Sequence, residues 1–357
     1  MEVYARELIP QLVAQRPDLR FTAFVNRETA GTPGPWSEIV PSITVPVCAR
    51  RRVEWVRGEQ QLLPGLARRA GVDLLHSLAS TAPSWGAFRR VVTVHDLHYL
   101  VAPEAHFGLR GLGMRLLVPL AARRSDRVIV ISEATRDDVA RHLHVAADRV
   151  DVVPQGVGGP PGTHPESESE LRERHHLGNR RILLSVSAKR PHKNLIRLIE
   201  ALARIPAERR PVLVLPGYPT PHEAELRTRA VTLGIAADVR FPAWVSSGEL
   251  EALYAVADVF VFPSLYEGFG LPILEAMRRG VPVACSDRSS LPEVAGDAAL
   301  LFDPEDVAAI TDAVERLLAD AHEADRLRAA GRVQAARFTW ARTARGTLAS
   351  YERALSA

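Results

Sequence analysis

The stretch from Ser264 to Ser286 constrains the fold of this chain more than any other. It reads SLYEGFGLPILEAMRRGVPVACS and follows Asp258–Phe262, a short apolar run typical of a strand buried on both faces. Gly268 and Gly270 permit a sharp turn, and the proline-containing run after them is typical of a helix. The pattern predicts strand, loop, helix and strand, with the loop at the carboxyl end of a parallel strand, where such sheets bind ligands.

Two carboxylates bracket this loop. Glu267 precedes the turn, and Glu275 lies near the start of the predicted helix. Free backbone amides at a helix N-terminus favour an anion, whereas carboxylates accept hydrogen bonds from hydroxyl groups. The combination suits a ligand that carries both hydroxyls and phosphates. The alternative is a strand–helix–strand unit whose two glutamates are merely solvated.

The wording EGFGLPxLEAM, with its two spaced glutamates, resembles the retaining glycosyltransferases of family 4. Those enzymes have the GT-B fold, an α/β architecture of two Rossmann-like, doubly wound domains that face a cleft. In the family the first glutamate contacts the donor sugar, the second contacts the ribose, and the loop backbone holds sugar and phosphate. The resemblance implies a donor-binding segment of Glu267, Gly268, Phe269, Gly270, Leu271 and Glu275, with Glu267 also catalytic.

Lysine use points to a second loop. Of 45 Lys and Arg residues only two are lysines, Lys189 and Lys193, in SVSAKRPHKN between a predicted strand and a predicted helix. A lysine at a helix start places a compact charge beside free amides, which suits a diphosphate. The segment resembles the family's phosphate loop, which implies that Lys193 binds the donor diphosphate. Where the family often has a second cation this chain has Ser187, which leaves Lys189 or Arg190 for that role; the alternative is that these charges are only solvated.

A histidine ends another predicted strand, in VVTVHDLHYL. His95 at that position can accept a proton or bind a sugar hydroxyl near neutral pH, and the resemblance implies that it lies beside the donor sugar and the acceptor. Packing alone is the alternative role. The segment VPQGV resembles the family's hinge with Gln155 in place of Asn, and relatives offer backbone groups to the nucleobase near Val245.

Alternation of strands and helices along the whole chain predicts doubly wound parallel sheets. The chain has 357 residues, enough for two domains, and GGPPGTHP at 158–165 is the best boundary. We therefore predict an N-terminal acceptor-side domain of residues 1–157, a linker of residues 158–169, and a C-terminal nucleotide-sugar domain of residues 170–337. Residues 338–357 are predicted to form a helix, and the resemblance implies that this helix crosses back onto the first domain.

Composition excludes several other classes. The chain is 46% hydrophobic and 24% charged, and its arginines are dispersed rather than clustered with aromatics, so we expect no nucleic-acid partner. No apolar run reaches the roughly 20 residues of a membrane helix. Two cysteines are too few for a disulfide framework, which favours the cytoplasm and allows peripheral contact with the inner membrane face.

These features together predict a hexosyltransferase. The reaction is transfer of a sugar from a nucleotide-diphosphate donor to an acceptor hydroxyl, and retention at the anomeric carbon is implied by the resemblance. The sequence motifs favour enzymes that use GDP-mannose as the donor, and UDP-sugars stay an alternative. The acceptor is a glycan, a lipid carrier or a small molecule. No Asp-x-Asp occurs, so we expect neither a metal nor another cofactor.

Two alternatives stay open from the residues. One is a catalytically inactive relative that serves as a nucleotide-sugar-binding or partner subunit. The other is a GT-B phosphorylase with a pyridoxal cofactor, for which the chain is short. Incubation with a panel of nucleotide sugars distinguishes them.

The start of the chain departs from the family pattern. Relatives begin with a strand and a Gly-rich turn, whereas here a predicted helix, Glu2–Ala14, follows Met1 directly. We expect a gap or a substitute strand at the centre of the first sheet, because that strand is buried on both faces in a doubly wound sheet. Our hypothesis is that Met1 is an internal methionine and that the native start lies roughly 15–20 residues earlier.

Overall fold

The computed structural model describes residues 2–32, 34–101, 109–158 and 167–357. They form two compact units, one of Met1–Gly156 with Phe338–Ala357 and the other of Val157–Arg337. Residues 159–166 of the predicted linker lie outside the described residues. A helix begins at Glu168, where Ser167 and Glu170 form a capping box.

The strands and helices alternate along the chain. The strands are β1 Ala23–Val25, β2 Ser42–Thr44, β3 Leu74–Ser77, β4 Arg89–Val94, β5 Arg127–Val130, β6 Val150–Val152, β7 Ile182–Leu184, β8 Val212–Val214, β9 Val239–Arg240, β10 Val259–Phe262, β11 Val283–Ser286 and β12 Ala299–Phe302. The helices are α1 Glu2–Gln15, α2 Arg27–Gly31, α3 Arg52–Arg57, α4 Leu63–Ala70, α5 His98–Val101, α6 Leu109–Arg124, α7 Glu133–Asp138, α8 Glu168–Arg174, α9 Leu195–Arg204, α10 Glu223–Thr232, α11 Ser247–Val256, α12 Leu271–Arg278, α13 Leu291–Ala295, α14 Val307–Ala319, α15 Ala321–Ala336 and α16 Trp340–Ser356.

The second unit contains one continuous parallel sheet. Its strand order is β12-β11-β10-β7-β8-β9. The first strand of this unit, β7, therefore lies near the middle of the sheet, and the later strands are added on both sides of it. The central strands β7, β8, β10 and β11 are buried along their whole length, as their unbroken apolar runs predict. Because all strands run the same way, the loops that follow β7, β8, β9 and β10 meet at one edge of the sheet.

The strands of the first unit form two separate sheets. β3-β4-β5-β6 make a four-stranded parallel sheet, and β1 pairs only with β2 in a two-stranded one. Within the described ranges, no strand pairs with both β1 and β3. The described strands of this unit are therefore divided between two sheets, with a break between β1 and β3.

Helix α16 packs on α1 and on the four-stranded sheet of the first unit. Tyr4 and Leu8 of α1 share a buried apolar cluster with Trp340 and Ala344 of α16. At the other end of α16, Ser350 Oγ donates a 2.7 Å hydrogen bond to the buried carboxylate of Asp151 in β6. The return of the C-terminal helix to the first domain, which the resemblance implied, is seen in this packing.

Local signals account for two further features of the first unit. Helix α2 forms within the Gly- and Pro-containing residues 27–38 because the Asn26 side chain caps it through a 2.8 Å bond from the Thr29 amide. Helix α4 is the last part of a helical run that starts with α3. The outer strands are less buried than the central ones: β2 has no buried residue, and β12 is buried only at Phe302 although its four residues are all apolar.

Candidate active site

The loop between β10 and α12 takes the sharp turn that its glycines predict. Gly270 has φ +105°, and a Cβ at this position would lie 2.6 Å from Leu291 Cδ2. A residue with a side chain would therefore strain both the backbone and the packing. The turn delivers the chain directly into α12, whose first turn contains proline.

Two serines in the loop after β11 hold the loop between β10 and α12 in place. Ser289 Oγ donates to Glu267 O over 2.6 Å, and Ser290 Oγ donates to Glu267 O over 3.0 Å and to Phe269 O over 2.9 Å. The carbonyl groups of the loop are thereby turned towards β11 and its following loop. Sequence reasoning missed both serines, although a Ser-Ser pair in the loop after a buried strand was a usable signal.

Lys193 and Glu267 meet at the carboxyl edge of the sheet. Lys193 Nζ lies 2.5 Å from Glu267 Oε1, and both side chains are only partly buried. The ammonium also lies 5.4 Å from the centroid of the Phe262 ring, within cation–π range. The structure thus brings together the two residues that the sequence placed in separate loops, because β7 and β10 are neighbouring strands.

Asn194 sets the position of Lys193. Its backbone is left-handed at φ +56°, a conformation that asparagine tolerates, and it precedes α9 directly. Its buried side-chain amide donates to Pro263 O over 3.1 Å and to Pro304 O over 2.7 Å. These bonds connect the end of β7 to the end of β10 and hold Lys193 opposite Glu267.

Glu275 lies on α12, one turn into the helix, and accepts a 3.0 Å hydrogen bond from Tyr254 Oη of α11. Burial raises the pKa of Glu275, and the hydrogen bond from Tyr254 opposes that rise. Arg279, one turn further along α12, donates to the Glu275 carbonyl and pairs with Glu251. Glu275 is thus held in a fixed position by the two helices that flank β10.

Lys189, one of the two residues predicted as a second phosphate cation, has surroundings that differ from those of Lys193. Its side chain is fully buried, and Nζ donates to Gly217 O over 2.7 Å and to Pro242 O over 3.0 Å. Glu223 Oε2 lies 3.6 Å from the same nitrogen. Two carbonyl oxygens accept hydrogen bonds from this buried ammonium and the Glu223 carboxylate balances its charge, so the geometry favours a structural role for Lys189.

The remaining predicted donor residues lie nearby on the same edge. Arg190 is exposed, and it stays a predicted second cation for the donor diphosphate. Ser187 Oγ is buried without a hydrogen-bond partner in the described part of the chain. Val245 is half-buried between Trp244 and Ser246, whose side chain caps α11.

His95 follows β4 in the first unit, and both ring nitrogens have partners. Nε2 lies 2.9 Å from Leu78 O and Nδ1 lies 2.9 Å from Gln155 Nε2. A carbonyl only accepts, so Nε2 carries the proton and Nδ1 accepts from the amide of Gln155. Burial lowers the pKa of His95, which keeps the ring neutral, and the Tyr4 ring packs edge-on against it at 4.9 Å. Sequence reasoning noted Gln155 as a departure but assigned it no role.

Comparison with known families accounts for both units. The model of "Glycosyltransferase Family 4" matches residues 1–158, and that of "Glycosyl transferases group 1" matches residues 167–334. The O-antigen chain mannosyltransferase B of Escherichia coli is 34% identical over 270 residues, which cover 74% of this chain and 70% of that protein. The chain belongs to glycosyltransferase family 4. It is accordingly a glycosyltransferase.

Other relatives match over different fractions of their length. A GDP-mannose-dependent α-(1-6)-phosphatidylinositol monomannoside mannosyltransferase of Mycolicibacterium smegmatis is 33% identical over 76% of this chain and 68% of that protein. The serotype-specific mannosyltransferase WbdA of Escherichia coli is 33% identical over 75% of this chain, but the match spans only 34% of WbdA.

The fold of this family 4 member is GT-B. The sucrose-phosphate synthase structure from Thermosynechococcus elongatus superposes with a TM-score of 0.78 over 98% of this chain and 92% of that one, at 24% identity. In the described ranges, no group of three or more His, Cys, Asp or Glu side chains is placed to hold a metal ion. Every helix that the structure describes is too short or too polar to cross a membrane.

Proposed function

We propose that this chain transfers a mannosyl residue from GDP-mannose to a hydroxyl of a glycan or lipid-linked glycan acceptor, with retention at the anomeric carbon and without a metal ion. The observation that carries the proposal is the Lys193–Glu267 pair at 2.5 Å, held on two loops that serines and Asn194 anchor. The names of the relatives, which include mannosyltransferases and a GDP-mannose-dependent enzyme, support the choice of donor.

The charges of the pair suit a donor with a diphosphate beside a sugar. In the free protein Glu267 partly neutralises Lys193. A diphosphate offers more negative charge to the ammonium than one carboxylate does, so Lys193 turns to the phosphate and Glu267 becomes free to accept from sugar hydroxyls. Lys193 and the backbone of Gly270 and Leu271 at the start of α12 then stabilise the leaving diphosphate.

The other candidate residues take supporting roles in this proposal. Glu275, fixed by Tyr254, binds the ribose hydroxyls, and Arg190 is the second cation for the diphosphate. His95 acts at the sugar and the acceptor in this proposal, and for that its ring must exchange one of its two present hydrogen bonds, the one to Leu78 O or the one from Gln155. The positive charge comes from these side chains and the helix end, which is the reason that we propose no metal ion.

The test is incubation of the full chain with GDP-mannose, GDP-fucose, UDP-glucose and UDP-N-acetylglucosamine, with mannose-terminated oligosaccharides as acceptors. We expect release of GDP from GDP-mannose, an α-linked product by NMR, and no change on addition of EDTA. A β-linked product contradicts retention, and loss of activity with EDTA contradicts metal independence. Release of UDP alone overturns the donor assignment. Nucleotide binding with no turnover on any acceptor favours the inactive relative.

A further inference from the structure

Two aromatic side chains project into solvent at the carboxyl edge of the second unit's sheet. Tyr218 follows β8 and is 57% exposed, and Trp244 follows β9 and is 69% exposed. Their ring centroids lie 4.6 Å apart with 33° between the ring planes. By contrast, Trp36 and Trp340 are buried in the first unit, as most large aromatic rings in a folded domain are.

The two rings are carried by a rigid support. Lys189 Nζ binds the carbonyl of Gly217, which directly precedes Tyr218, and the carbonyl of Pro242, two residues before Trp244. Gly217 N also donates to Ala243 O over 3.1 Å, which joins the two loops directly. The buried lysine therefore holds the backbone of both aromatic residues.

Close approach of these loops depends on a glycine. Gly217 has φ +140°, and a Cβ at this position would lie 2.0 Å from the carbonyl oxygen of Ser187. A larger residue would push the loop after β8 away from the loop after β7. The pair of rings is thus fixed relative to the loop that contains Lys193, on the same side of the sheet.

The strand order places the rings on one side of the diphosphate site. Along β10-β7-β8-β9, Glu267 follows β10, Lys193 follows β7, Tyr218 follows β8 and Trp244 follows β9. Neighbouring strands are about 4.8 Å apart, so the end of β9 is about 10 Å from the end of β7. A ligand with its phosphates at Lys193 and its sugar at Glu267 has its nucleoside on the β8–β9 side.

We infer that Trp244 and Tyr218 form a stacking platform for the nucleobase of the donor and that this platform favours a purine nucleoside diphosphate. The inference rests on the proposed function and deepens it. Bases stack on exposed aromatic side chains, and the fused rings of a purine overlap more aromatic surface than a pyrimidine does. The buried lysine supports the rings in place, so little ordering is needed when the base binds.

The experiment compares GDP, UDP and inorganic diphosphate as ligands of the full chain by titration calorimetry. We expect Trp244→Ala to weaken GDP binding about tenfold and UDP binding less, while diphosphate binding stays unchanged. Trp244→Phe should bind GDP within about threefold of the unaltered chain, and Tyr218→Ala should lie between the two. Trp85→Ala, which removes an exposed tryptophan of the first unit, is the matched control and should change none of the three affinities.

Two results overturn the inference. One is GDP binding by Trp244→Ala that equals the unaltered chain. The other is an equal loss of GDP and diphosphate binding, which would mean that the ring supports the loop rather than the base. In either case the unaltered chain still binds GDP and turns over a GDP-sugar, so the proposed function stands. If the unaltered chain binds neither GDP nor UDP, the proposed function and this inference fail together.

Discussion

The two units of the molecule offer different chemistry where their parallel strands end. In the second unit the edge carries opposite charges, with Lys193 and Glu267 in direct contact and partly accessible to water. In the first unit His95 is half-buried, neutral and held by two hydrogen bonds. In the second unit a charged ligand can compete with Glu267 for Lys193. In the first unit the hydrogen bonds that His95 can make depend on the orientation of its ring, which Leu78 and Gln155 set.

The same contrast exists within the second unit, between its two lysines. Lys193 lies opposite a carboxylate that keeps some exposure to water, whereas Lys189 is fully buried among carbonyl groups. They are four residues apart on one loop, and their side chains point to different surroundings. Substitutions should therefore separate binding from stability, and the predictions below start with the largest expected effect.

The first prediction concerns Lys189→Met. The substitution leaves the carbonyls of Gly217 and Pro242 without their donor in a buried site, which should cost about 3 kcal/mol of unfolding free energy. We expect the melting temperature to fall by about 5–10 °C, measured by calorimetry. Lys193→Met is the matched control and should cost less than about 1 kcal/mol, because its ion pair is partly exposed. Equal losses for both variants would contradict the structural role of Lys189.

The second prediction concerns Lys193→Ala. If this ammonium binds the donor diphosphate, its loss removes a charge-assisted bond of about 1.5–3 kcal/mol, and kcat/KM should fall by more than tenfold. The assay is initial-rate release of the nucleotide from the donor, at a temperature where the variant is folded. Lys189→Met under the same conditions should lose less activity. A similar small decrease in both variants would show that the charges of this loop are only solvated.

The third prediction uses the neutral histidines of the first unit. Burial lowers the pKa of His76 to about 3 and also lowers that of His95, from an ordinary value of 6.5. Below pH 6.5 the unfolded chain takes up a proton at His76 while the folded chain does not, so the unfolding free energy falls as the pH falls. The lowered pKa of His95 adds to this fall in the same direction. For His76 the slope should reach about 1.4 kcal/mol per pH unit.

The measurement is unfolding free energy between pH 7 and pH 5, above the range where most carboxylates titrate. His76→Gln removes one of the two histidines and should reduce the slope of unfolding free energy against pH by the contribution of His76. His142→Gln, which alters an exposed histidine, is the control and should leave the slope unchanged. An unchanged slope in His76→Gln would show that His76 is not neutral in the folded protein.

The segment around β10 could be predicted from sequence because its signals are local. An apolar run, two glycines and a proline fix strand, turn and helix, and neighbouring parallel strands place Glu267 beside Lys193. The role of Lys189 could not be predicted in this way. Its rarity marked it, but its partners are the carbonyls of Gly217 and Pro242, which any residue type supplies. Sequence patterns carry no signal for a bond to a distant backbone group.

The first unit shows a similar limit. Helices α1 and α16 were predicted, yet nothing local indicates that β1 pairs with β2 rather than with the strands of the four-stranded sheet. Strand pairing depends on segments far apart in the chain, and short, partly exposed strands leave little pattern. Gln155 is a further case, because its role depends on a hydrogen bond to His95, which is 60 residues away in sequence.

The last prediction tests whether the orientation of His95 depends on Gln155. At present the amide donates to Nδ1, which leaves the proton on Nε2 and disfavours the charged ring. In Gln155→Glu a carboxylate replaces that donor, so the ring can hold a proton on Nδ1 as well and its pKa should rise. If His95 acts in its neutral form, the acid limb of the kcat/KM profile should move to higher pH, with a loss of a few fold at pH 6 and little loss at pH 8. Gln155→Leu has a similar size and no charge, and it should lower kcat/KM modestly at both pH values without moving the limb. The readout is a pH–rate profile of all three forms. An identical displacement of the profile in both variants would mean that Gln155 affects packing alone, and no displacement in either would remove His95 from the reaction.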